Sequence, residues 1–137
     1  SKSDLVATTI EPNEISDIID EIPILTFIAS QAEGKTILKG ANELRIKESD
    51  RLENMKNFIQ GLKGEITMHE DGFEINGVQD LDEGSIVTED DHRVAMTAII
   101  ANLTLGKKIL PDNTDCIRDS YPTFFLDIES IGGMINE

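Results

Sequence analysis

The 137-residue sequence holds one cysteine, no tryptophan, two histidines, and twelve basic residues against 27 acidic ones. Each scarcity excludes something. A lone Cys116 cannot close an internal disulfide, so a reducing cytoplasm is the expected home. With His69, His92 and Cys116 as the only imidazoles and thiol, no metal-ligand spacing exists. A net charge of −15 lacks the basic face that general nucleic-acid or acidic-membrane binding requires. It leaves room for a small anion held by a few local cations. No apolar run approaches the roughly 18 residues of a membrane span, and no signal-peptide pattern is read. No Walker loop or nucleophile–base motif occurs. The sequence opens on Ser1 rather than Met, which reads as an excised piece or a removed Met.

What is present suits one domain with a real core. Short strands alternate with helices. Residues 4–10 read as a strand and "EPN" as its breaker. Asp20 to Glu33 reads as a helix, with Pro23 in its first turn, Ile24, Leu25, Ile28 and Ala32 on its inner face, and Gly34 closing it. "KTILKG" is a strand. Ser49 to Leu62 is a helix with a stripe of Leu52, Met55, Ile59 and Leu62. "EITMHEDGFEING" is a hairpin turning at Asp71-Gly72. "SIVT" is again a strand, and Asp91 to Leu105 a helix burying Met96, Ile99, Ile100 and Leu103, closed by Gly106. "KKILPD" is a strand. Ser120 is the expected cap of a last helix, with Pro122 in its first turn and Phe124, Ile128 and Ile131 facing inward.

The two halves align at an offset of 72. Gly34, Lys35, Ile37 and Leu38 fall on Gly106, Lys107, Ile109 and Leu110, and Ala29 falls on Ala101. Asp20 falls on His92, and Glu21 on Arg93. The expected architecture is α/β: two βαβαββ-like units, about 4–78 and 79–137, packed as one body with helices against mixed sheets.

Polar residues collect at three helix starts: Asp20 and Glu21; Lys47, Glu48, Asp50 and Arg51; Asp91, His92 and Arg93. A helix N-terminus attracts anions, and arginine grips phosphate or carboxylate with paired hydrogen bonds. Carboxylates in the same place transfer protons when their pKa values suit. Taken singly, each feature has a plainer reading. Asp20, Asp50 and Asp91 are ordinary caps or dipole partners, Lys47 and Arg51 pair at the surface with Glu48 and Asp50, and His92 is incidental. Composition and spacing alone reach a small-anion site, with or without catalysis.

The wording of the sequence goes further. "DEIPIL" (20–25), "LRIKESDR" (44–51), "DHRVAM" (91–96) and "SYPTFF" (120–125) occur in that order. Together they resemble the enolpyruvylshikimate-phosphate synthase family, also called 3-phosphoshikimate 1-carboxyvinyltransferases. The sister transferase acting on UDP-N-acetylglucosamine shares the fold but is not expected to carry "KESDR".

The resemblance covers the whole chain but only the last third of the family's protein. It implies two of the three βαβαββ units of the C-terminal lobe, with substrates bound between lobes. The implied reaction belongs to the shikimate pathway, toward chorismate and aromatic amino acids. The enolpyruvyl group of phosphoenolpyruvate moves to a hydroxyl of shikimate 3-phosphate, with release of phosphate and without metal or organic cofactor. Carbon 3 of the enol is protonated, the hydroxyl attacks carbon 2, and the tetrahedral intermediate loses phosphate.

By resemblance Asp20 contacts the shikimate hydroxyls and accepts a proton, while Glu48 is linked to proton donation. Lys47 binds shikimate 3-phosphate, Arg51 and Arg93 hold phosphoenolpyruvate, and His92 is a site histidine. Arg45 reads as a structural ion pair and Asp50 as a cap. Two departures stand out. Some members have an asparagine at Glu43, and some a phosphoenolpyruvate-binding lysine at Asp119, with Arg118 beside it as the candidate replacement. The family's remaining ligand-binding groups lie in its missing N-terminal lobe, so this chain alone is expected to fold but not to turn over. The alternative is a non-catalytic anion-binding or interaction module of the same fold.

Overall fold

The computed structural model describes residues 4–136, so the outermost bounds of the expected domain, 1 and 137, lie outside it. In chain order the elements are β1 (Thr9–Ile10), α1 (Ile15–Ile18), α2 (Ile22–Gln31), β2 (Gly34–Leu38), α3 (Arg51–Gly61), β3 (Thr67–His69), β4 (Gly72–Gly77), β5 (Gly84–Ile86), α4 (His92–Leu105), β6 (Ile109–Pro111), α5 (Asp115–Ser120) and α6 (Phe124–Ser130). Turns of 3-10 helix occupy Ile19–Glu21 and Asn42–Ile46.

Four strands form a sheet in the order β1-β2-β4-β3, and β5 pairs with β6 separately. β1 runs parallel to β2, and β5 parallel to β6. Each parallel pair needs a crossover, and α2 and α4 supply them. Shifting the first series by 72 lays α2 on 94–103 inside α4, the second 3-10 turn on 114–118 over α5, and α3 on 123–133 over α6.

The core joins both halves. Leu52, Met55, Ile59 and Leu62, the expected stripe of α3, have no exposed surface. They pack in one cluster with Ile22, Phe27, Leu38, Ile75, Val94, Ala98 and Ile109. Residues spaced three and four apart share one helix face, so α3 buries its only apolar side. Its start is fixed by Asp50, whose carboxylate accepts from Glu53 N. α4 is bounded as expected: Asp91 caps its start, and Gly106, at φ 64°, ends it in the left-handed conformation that glycine adopts without cost.

The structure corrects several expectations. Gly34 opens β2 rather than closing α2. Glu33 N already donates to Leu5 O, and Ala7 N to Glu33 O, so the chain is strand-paired before Gly34. The hairpin turns at Glu70-Asp71, and Gly72 belongs to β4. A Cβ there would sit 1.9 Å from Leu38 O, so glycine is required by close backbone approach rather than by the turn. Ser120 ends α5 instead of capping the last helix. Tyr121, which precedes Pro122, is driven out of helical conformation (φ −140°, ψ 77°), and α6 starts beyond the proline. Ile131 is 80% exposed.

The inner faces also shift. Ile24, Leu25, Ile28, Met96, Ile100 and Leu103 are half-buried, while Pro23, Thr26, Phe27, Ser30, Val94, Ala95, Thr97 and Ala98 are buried. Helices apolar on most sides carry no single stripe from which a face can be read.

Candidate active site

Three segments meet at the leading ends of the helices, and Arg51 lies at their junction. It is the first residue of α3, and its side chain has no exposed surface. Three carboxylates surround its guanidinium. Nε donates to Asp91 at 2.8 Å, Nη1 to Asp20 at 2.8 Å, and Nη2 to Glu48 at 2.7 Å. Asp20 comes from the 3-10 turn before α2, Glu48 from the turn before α3, and Asp91 from the cap of α4. A buried guanidinium demands such company, because desolvation costs several kcal/mol unless charge and hydrogen bonds compensate (of order 3 kcal/mol or more).

The surrounding groups extend the network. Lys47 Nζ lies 3.8 Å from Asp20. Arg93 donates to Glu21 at 2.9 Å. Ser49 Oγ donates to Asp91 and accepts from Asn54 Nδ2. A small cavity of about 80 Å3 is lined by Asp20, Glu21, Pro23, Ile24, Arg93, Met96 and Thr97. Asp20 and Glu48 keep about half their side-chain surface in solvent, so their carboxylates face outward while still holding Arg51.

The electrostatics follow from Arg51. Its hydrogen bond and charge, with help from Lys47 and Arg93, hold the Asp20 carboxyl below the usual aspartate range against a smaller opposing effect of burial. At neutral pH Asp20 is ionised and can accept a proton. Burial alone would push Asp91 up, but Arg51 and Ser49 outweigh it and keep Asp91 ionised as well. Burial opposes charge on Arg51, yet Asp91 and Asp20 raise its pKa above the ordinary value.

Asp20, Lys47, Glu48, Arg51 and Arg93 are thus gathered at one end of the helices. His92 begins α4 beside Asp91, but its side chain joins none of the hydrogen bonds or ion pairs among the described residues. Arg45 pairs with Asp50 at 3.1 Å and donates to Glu70 O, tying the hairpin to the start of α3. Asp50 therefore pairs with Arg45 rather than Arg51. Arg118 is exposed and lines a separate groove with Ile99, Leu110 and Phe125, away from the cavity at Asp20. Sequence reasoning assigned Asp91 a capping role and left Ser49 without one. The bonds from Ser49 and Arg51 to Asp91 span 42 and 40 residues, and no periodicity signals them.

Fold and site together define an α/β protein that gathers cations and carboxylates where several helices begin. Comparison with known proteins makes this specific. The family model described as EPSP synthase (3-phosphoshikimate 1-carboxyvinyltransferase) matches residues 2–128. The 3-phosphoshikimate 1-carboxyvinyltransferase of Oceanobacillus iheyensis is 46% identical over 129 residues, which are 94% of this chain and 30% of that protein. The enzyme of that name from a Sulfurihydrogenibium species is 40% identical, over 96% of this chain and 30% of its own length. An EPSP synthase structure from Acinetobacter baumannii superposes with a TM-score of 0.87 at 32% identity, covering 97% of this chain and 32% of that one. The chain belongs to the EPSP synthase family. It spans about 30% of the length of the curated relatives it matches.

Proposed function

We infer that this chain is part of a transferase that moves the enolpyruvyl group of phosphoenolpyruvate onto shikimate 3-phosphate and releases phosphate. The observation that carries this reading is the meeting of Asp20, Glu48 and Asp91 on one buried Arg51, with Lys47 and Arg93 at the same helix ends. Addition followed by elimination needs an acid, a base and cations for a multiply charged substrate, and this cluster supplies all three kinds of group.

Asp20 is the proton acceptor at the attacking hydroxyl; the Arg51 hydrogen bond keeps its carboxylate ionised and so free to take a proton, at the cost of making it a weaker base. Glu48 delivers the proton to carbon 3 of the enol. Lys47 holds shikimate 3-phosphate, Arg51 and Arg93 hold phosphoenolpyruvate, and His92 is a site histidine at the start of α4. Because Arg51 has no exposed surface, an anion reaches its Nη atoms by displacing Asp20 or Glu48. Binding and proton placement are coupled for that reason.

The chain reads as two units, 4–78 and 79–137, of a partial C-terminal lobe. The correspondence of α2, α3 and the second 3-10 turn with α4, α6 and α5 supports this division. The remaining ligand-binding groups belong to the N-terminal part of the whole enzyme, which works in the cytoplasm. Among the described residues no helix is long and apolar enough to cross a membrane.

Phosphate release from the two substrates tests the reading. The full-length protein turns over, and the 137-residue chain alone does not. Enzyme-like turnover by the chain alone, or none by the full-length protein, contradicts it.

A further inference from the structure

Asp91 has no exposed surface, and four donors from two distant pieces of chain converge on its carboxylate. Arg51 Nε lies 2.8 Å from Oδ2, and Arg51 Nη2 lies 3.4 Å from Oδ1. Ser49 Oγ donates to Oδ2 at 2.9 Å, and the Arg93 backbone N–H to Oδ1 at 3.0 Å. A carboxylate offers about four acceptor positions, so its capacity is filled. Capping α4 uses only the bond from Arg93 N. The other three hold the Arg51 guanidinium and the turn that carries Lys47 and Glu48.

The approach to Asp91 is fixed as well. Glu89 and Asp90 both lie in the left-handed region, at φ 53° and 57°. Consecutive non-glycine residues adopt it only where surrounding contacts impose it. Those contacts are present. The buried Thr88 donates both its backbone N–H and its hydroxyl to Asp112 Oδ1, at 3.0 and 2.8 Å. Asn113 Nδ2 donates to Asp90 Oδ1 at 2.6 Å. The start of β6–α5 thus clamps the loop that delivers Asp91.

One carboxylate therefore fixes two arginines from different helices, Arg51 through its side chain and Arg93 through its backbone. We propose that Asp91 is the positioning residue of the site, locking Arg51 and the α4 tip into one frame so that both arginines meet the same phosphoenolpyruvate. The kinetic consequence rests on the enolpyruvyl-transfer reading; the geometric one does not. A residue that served only as a helix cap would be replaced equally well by asparagine or serine, since both cap helices.

The test uses Asp91→Asn and Asp91→Ser in the full-length protein. Each keeps a capping acceptor and removes the charge. The KM for phosphoenolpyruvate, which both arginines hold, rises about tenfold, and that for shikimate 3-phosphate, touched only through the Ser49 turn that carries Lys47, rises less, by about threefold at most. By NMR, the Arg51 Nε–H exchanges with solvent about tenfold faster than in the parent protein. A fall in kcat with both KM values unchanged overturns the proposal, as does unaltered Arg51 exchange. Loss of folding in both variants overturns it too, since it makes Asp91 a folding residue. A parent protein without turnover refutes the functional reading alone, and Arg51 exchange still decides the role of Asp91.

Discussion

Glu21 and Arg93 stand 72 residues apart in sequence and meet at 2.9 Å. The two positions correspond in the internal repeat, so equivalent helix starts face each other with opposite charge. Both side chains are partly exposed, and the pair holds Arg93 in place without burying it. Removing the partner frees the cation. Glu21→Gln costs under about 1 kcal/mol of stability and tightens phosphoenolpyruvate binding by up to about fivefold. Urea unfolding and a ligand titration of the full-length protein measure the two effects.

Glu48 occupies Arg51 Nη2, one of the places an incoming anion needs. Glu48→Gln removes the competing charge and, because an amide does not carry a proton to carbon, the proton-delivering group as well. Phosphoenolpyruvate affinity is therefore unchanged or higher, while kcat falls about a hundredfold or more. Equilibrium binding beside steady-state kinetics separates these. Weaker binding together with normal kcat contradicts the assignment.

Arg51 is the only cation within salt-bridge distance of the unexposed Asp91 among the described residues. Arg51→Met leaves that carboxylate buried and uncompensated, at a cost of about 3–5 kcal/mol. Urea denaturation reads it as a lower midpoint with an unchanged slope.

Asp20 and Asp91 both have pKa values below the ordinary one in the folded state. The unfolded chain therefore takes up protons first as pH falls. The stability these groups contribute is complete above the unfolded value, about pH 3.9, and is lost as pH drops through the lower folded values. Unfolding free energy falls steeply below about pH 4. In Asp91→Asn this acid limb is shallower. A pH series of denaturation curves for both chains checks the sign.

Gly72 faces the Leu38 carbonyl across the β2–β4 pair, and an added Cβ would lie 1.9 Å from that oxygen. Backbone cannot yield as a flexible side chain does. Gly72→Ala costs about 3 kcal/mol, visible as a lower melting temperature. Gly61→Ala, where a Cβ meets nothing within 4 Å, is the control and does not lower it.

What was legible in the sequence follows from which forces are local. The stripe of α3 and the ends of α4 could be read because spacing, Asp50, Asp91 and Gly106 act within one or two turns. The meeting of Asp20, Lys47, Glu48, Arg51 and Arg93 was legible only through the repeat and the resemblance. α2 was placed well by Pro23, but its buried side was read only in part: Ala32 is buried and Ile24 and Leu25 pack against the core, while Ile22 and Phe27 were missed because apolar residues spread around the helix. The break between α5 and α6 was missed, although Pro122 signals it by restricting Tyr121. The grip of Asp91 on Arg51 was invisible because it is long-range and depends on a loop held by Asp112.

The half-buried flanks of α2 and α4 have a colloidal consequence. Ile24, Ile28, Met96, Ile100 and Leu103 give the chain adhesive surface, while a net charge of −15 keeps like copies apart. Mutual repulsion shortens its reach as ions are added, from about 30 Å at 10 mM salt to about 3 Å at 1 M. Added salt is thus a variable that lets copies of this chain approach one another.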